Sequence, residues 1–233
     1  MPAQLYGIEH FTYIGITTVI ASVGLILAKK FAKTEKSQAI FLKCLALSLF
    51  ISIITNRLSQ VFRYGTTRWE QLIPDSYCGM TSLVLSLAVL FGKKDNDVLH
   101  FTWILGLFGG IATIIYPAFI NQGPTIFYLP TISGFIHHSL SATLAVAILL
   151  FNQIRITYKK WYCTLFGFTC YLSVGAFLIG FFGFSDAYHI YEPLISGTPF
   201  TTWVMAPMYA VCYALLLFII EVVRNKKAHT STK

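Results

Sequence analysis

Hydrophobic residues gather in seven runs, at roughly 11–28, 40–62, 76–92, 98–116, 130–151, 161–184 and 202–223. Each is close to the ~20 residues an α-helix needs to cross a bilayer. The third run is short unless Ile73 to Tyr77 are counted with it, and the second closes on the polar pair Asn56 and Arg57. The first run lacks a small-residue cleavage site and ends in AKKFAK, so it reads as a retained helix rather than a signal peptide. The pattern predicts an all-α fold, a polytopic seven-helix transmembrane bundle forming one membrane domain over 1–233. No soluble domain, low-complexity tract or internal repeat stands out.

Composition sharpens the class. The 233 residues are 56% hydrophobic and 11% charged, where a soluble domain carries roughly a quarter charged residues. The net charge of +8 would invite a nucleic-acid partner, but its distribution argues against one. Fourteen of the seventeen basic residues fall in alternate loops and the C-terminal tail. These are Lys29 to Lys43, Lys93 and Lys94, Arg155 to Lys160, and Arg224 to Lys233. The other side has only Arg57, Arg63 and Arg68. By the positive-inside rule the N-terminus faces out and the C-terminus faces the cytoplasm.

That orientation gives the polar residues their interest. Within IPDSYCGMTS, Cys78 opens the third run with Asp75 three residues before it and Thr81 and Ser82 three and four after. Counting back from Gly92 puts Cys78 ~21 Å from the far face, hence ~9 Å below the outer boundary of a ~30 Å core. His138, eight residues into the fifth run, lies ~12 Å deep on the same count. The two can be level. Arg57 and the tandem His137–His138 stand inside runs, where ionisable groups are costly and face a cavity or a partner; a purely structural inter-helix bond is the plain alternative for each histidine. His10, Asp186, His189 and Glu192 share the outer side, the last three reading as solvated loop. Cys44, Cys163, Cys170 and Cys212 read as small hydrophobes.

A cysteine nucleophile needs a base to form thiolate and a carbonyl within reach. Cys78 with a histidine at similar depth meets the first need, and an arginine can hold a lipid phosphate; from spacing alone, a structural cysteine is the alternative. A haem held by two of His10, His100 and His138 is a weaker reading. Its ligands must sit on facing helices at one depth, and His100 starts its helix from the cytoplasmic side, where it cannot meet the others. No phosphate loop, zinc signature or GxSxG elbow occurs, so neither a metal nor a cofactor is expected. Gly106, Gly109 and Gly110 form a small-residue face suited to close helix packing.

Three motifs in order carry a family resemblance: Pro74–Cys78–Gly79, then Trp103–Gly106–Gly109–Gly110–Pro117, then His138–Ser139–Leu140. From about residue 5 to 225 the chain resembles the YwaF-like integral membrane family, bacterial relatives of the animal transmembrane protein 164. The resemblance implies a seven-helix bundle in a bacterial cytoplasmic membrane. It also implies a cysteine-dependent acyltransferase on ether lysophospholipids, with Cys78 as nucleophile and His138 as the family's histidine. Where the family often has a histidine two residues before the cysteine, this chain has Ser76, so it has either lost that assisting group or uses His138, His10 or Asp75 instead.

The expectation is acyl transfer or hydrolysis on a lipid ester, with Cys78 and His138 catalytic and Arg57, Asp75, His10 and His137 binding substrate. The partners are membrane lipids, a lysophospholipid or phospholipid among them, and no nucleic acid. The rival class is a small-solute transporter or receptor using the same outward cavity without catalysis. An inverted repeat would favour transport, and none is visible. The sequence leaves the acyl donor, the acceptor and the oligomeric state open.

Overall fold

The computed structural model describes residues 6–62 and 67–230; Arg63 and Lys233 lie outside them. Among the described residues there are seven α-helices and no strand. They are α1 (Ile8–Phe31), α2 (Glu35–Val61), α3 (Tyr77–Phe91), α4 (Asp97–Ile115), α5 (Leu129–Leu150), α6 (Tyr162–Phe182) and α7 (Thr202–Thr230). All but α3 are long and apolar enough to cross a membrane. The 15 residues of α3 span only about 22 Å at 1.5 Å each.

Local chemistry sets the ends. Thr34 and Ser37 form a reciprocal capping box that starts α2 at Glu35, five residues before the apolar run. The Asn96 side chain accepts the Leu99 amide at 3.0 Å and caps α4. A proline in the first turn opens α5. Gly183, at φ 68°, closes α6 in the left-handed conformation. Helix α7 runs past the expected end at 223 to Thr230, because a helix need not stop where its residues become polar.

The chain divides into two compact units. The first holds residues 1–74, 78–94 and 102–153. Its centre is α5, which buries thirteen residues, whereas α1 buries only His10 and Ala28. Polar pairs tie its helices together. The Tyr13 hydroxyl meets Ser139 at 2.8 Å, and Asn56 donates to the Pro130 carbonyl at 3.2 Å and to Ser133 at 3.0 Å. Lys29 Nζ donates to the Leu150 carbonyl at 3.3 Å, and Lys94 pairs with Glu35 at 3.8 Å. The basic turns after α1 and α3 and the end of α5 therefore share one end of this unit.

The second unit holds 75–77, 95–101 and 154–233. Tyr77, Phe101, Phe168, Tyr171 and Tyr188 pack edge and face with centroids 5.0 to 5.9 Å apart. Asp186 is an organiser: its carboxylate accepts the amides of Ile190, Tyr191 and Glu192 at 3.0, 3.1 and 3.3 Å. At the other end Lys160 pairs with Asp97, and Glu221 accepts the Tyr158 amide at 2.9 Å. Asp95 accepts the Arg155 amide and meets the His100 ring, each at 2.7 Å. Partial burial opposes the charged form of Asp95, but these bonds outweigh it and hold its carboxyl below the ordinary range.

Candidate functional site

Five of the six residues singled out from the sequence belong to the first unit: Cys78, His138, His137, Arg57 and His10. The sixth, Asp75, belongs to the second, where its carbonyl accepts the Tyr188 amide at 2.8 Å.

The glycine face of α4 draws α3 and α5 in. A Cβ on Gly106 would stand 2.8 Å from Ser141 Oγ and 2.9 Å from Leu85. One on Gly109 would stand 3.1 Å from Cys78 Sγ, and one on Gly110 only 2.6 Å from the His138 carbonyl oxygen. Cys78 and the backbone of His138 thus lie against two consecutive residues of α4, an approach that a Cβ at Gly110 would block and one at Gly109 would crowd. The Cys78 thiol is hydrogen-bonded with Thr113, which lies on this face one turn beyond Gly109 and Gly110.

The histidines differ in their engagements. His137 Nδ1 meets Ser82 Oγ at 3.3 Å, both side chains being buried. Its ring lies 4.1 Å from that of His138, and Arg57 is near enough for its charge to act on it. The buried His138 ring makes no hydrogen bond among the described residues. His10 Nε2 lies 2.7 Å from the Ile114 carbonyl; since a carbonyl only accepts, the proton is on Nε2. Its buried Nδ1 is then left without a partner among the described residues.

Arg57 is also buried, and its partners are specific. Nε donates to the Gln71 carbonyl at 2.8 Å, and a terminal nitrogen donates to Gln71 Oε1 at 3.3 Å. The arginine therefore fastens the 3₁₀ turn Trp69–Leu72 to the end of α2. Among the described residues no group of three or more His, Cys, Asp and Glu side chains is placed to hold a metal ion.

Sequence reasoning passed over Thr113 and Gln71 as partners and treated Ser82 only as a neighbour of Cys78. Thr113, three residues beyond Gly110, continues the small-residue face, a signal that spacing alone carries. Gln71 had no such signal, because its role depends on a turn doubling back.

The family model described as TMEM164 family matches residues 5–223. No curated protein and no solved structure matches the chain.

Proposed function

The chain belongs to the TMEM164 family, and from that premise we propose that it acts on lipid esters, by acyl transfer or hydrolysis, through Cys78 and His138. One observation carries the reading: Gly109 and Gly110 let the Cys78 sulfur and the His138 backbone close on adjacent residues of α4. Cys78 Sγ attacks the ester carbonyl while its proton passes to the His138 ring. The tetrahedral intermediate collapses, the C–O bond breaks, and the leaving alkoxide takes that proton. The resulting thioester is attacked by a lysolipid hydroxyl or by water, with His138 now taking the proton of the attacking O–H and returning it to the departing thiolate.

The ring of His138, without a hydrogen-bond partner among the described residues, is the one able to shuttle a proton. His137 is held by Ser82 and orients the pair. Arg57, a buried cation, supplies the positive charge for an anionic head group, and His10 completes the binding set. The protein lies in the cell membrane with its N-terminus outside and its basic end in the cytoplasm. The clustering of basic turns at one end of the first unit supports that orientation.

The test is turnover of a labelled phospholipid by purified protein in lipid. Cys78→Ser and His138→Ala should each lose several orders of magnitude, on the order of 10³-fold or more. Specific ligand binding that survives both substitutions, with no ester turned over by the wild type, would instead mark a receptor or transporter.

A further inference from the structure

The ends of α1 and α5 enclose an open groove of about 430 Å³ at the basic end of the first unit. Its floor is apolar, formed by Leu25 and Ile26 of α1 and by Val146 and Leu150 of α5. Its rim is Lys29, Lys30 and Lys33. The helical repeat explains the layering, since Lys29 and Lys30 stand one turn above Leu25 and Ile26. The hydrogen bond from Lys29 to the last carbonyl of α5 fixes one ammonium at the rim. Among the described residues no carboxylate pairs with any of the three lysines, and the nearby acid Glu35 faces Lys94 instead.

The groove therefore asks for a ligand that is apolar below and anionic above. Its volume falls within the ~300–1,000 Å³ of ordinary ligand pockets. With so little of α1 buried, this slot opens on an exposed face of that helix. A free phosphate would leave the apolar floor unused, and a zwitterionic head group would bring its own cation against three lysines. We propose that this groove is a binding site for an anionic phospholipid, with the phosphate at Lys29, Lys30 and Lys33 and an acyl chain along Leu25, Ile26, Val146 and Leu150. It is separate from the Cys78 site, because Leu150 lies twelve residues beyond His138, ~18 Å along α5.

The experiment is native mass spectrometry of the full chain carrying phosphatidylglycerol or phosphatidylcholine with identical acyl chains. Wild type should retain phosphatidylglycerol over phosphatidylcholine. A lysine near an anionic lipid contributes about fivefold, so Lys29→Ser, Lys30→Ser and Lys33→Ser together should reduce retention on the order of a hundredfold. Val146→Trp fills the slot without changing charge and should reduce it too, which keeps the test open if the triple variant fails to fold. Lys93→Ser with Lys94→Ser should leave retention unchanged. Equal retention of both lipids by wild type, an equal loss in the Lys93 and Lys94 variant, or full retention by Val146→Trp would each overturn the proposal. So would displacement of the lipid by inorganic phosphate at comparable concentration.

Discussion

Gly110 has a hydrogen where any other residue would drive a carbon to 2.6 Å from the His138 carbonyl. The obstacle is backbone within a central helix, so it cannot swing aside. Gly110→Ala should force α4 and α5 apart and lower stability by about 1–3 kcal/mol, the usual cost of overpacking. It should lower lipid turnover as well. Gly15→Ala is the matched control, since nothing lies within 4 Å of a Cβ there. Thermal unfolding in a mild detergent, read beside turnover, checks the pair; equal midpoints for the two variants would refute the close-packing account. At this scale the sequence offered candidates rather than partners. Cys78 and His138 stood out as polar groups in apolar runs, but a helix-face argument cannot say that the thiol meets Thr113 or that His137 meets Ser82. Those contacts depend on how helices rotate against one another.

Among the elements, the boundary between α2 and the 3₁₀ turn Trp69–Leu72 depends on Arg57. Arg57→Ala would strip the Gln71 carbonyl and side chain of their donors, at a cost of about 1–3 kcal/mol for groups left unsatisfied. Amide exchange across Glu70–Ile73 should quicken in that variant, while exchange in α6 stays as in wild type. Unchanged exchange over the turn would mean that Arg57 does not hold it. Helix positions themselves were largely legible, because a run of apolar residues near span length has few other meanings in a chain with so little charge. Ends were less legible where polar chemistry extends a helix. The capping box begins α2 before its apolar run, and α7 continues through charged residues to Thr230. The third run reads as a span from hydropathy, yet α3 is only 15 residues long and starts at Tyr77 beside Cys78.

For the whole molecule, the matter is which end faces which side. The alternation of basic loops predicts that Lys36 faces the cytoplasm and His189 the exterior. Single probes at Lys36→Cys and His189→Cys, treated on intact cells with a membrane-impermeant maleimide, should label only at position 189. Labelling at 36 and not at 189 would invert the orientation. On the proposed reading, this sidedness decides which leaflet would supply the lipid to Cys78. The family, the all-helical architecture and the membrane class were all readable from the chain, since each rests on patterns spread over its length. The proposed chemistry rests instead on a few residues, Cys78 and His138 foremost, that lie against the glycine face of α4.

The most direct measurement is intact-mass analysis of the purified protein after brief incubation with a phospholipid of known acyl chain, with rapid acid quench. Acyl transfer through a thioester requires a mass increase equal to that acyl group on the wild type, lost on hydroxylamine treatment and absent in Cys78→Ser. In His138→Ala the adduct should form far more slowly. An adduct that persists in Cys78→Ser, or turnover of the lipid by wild type with no adduct at any time sampled, would contradict a mechanism centred on Cys78.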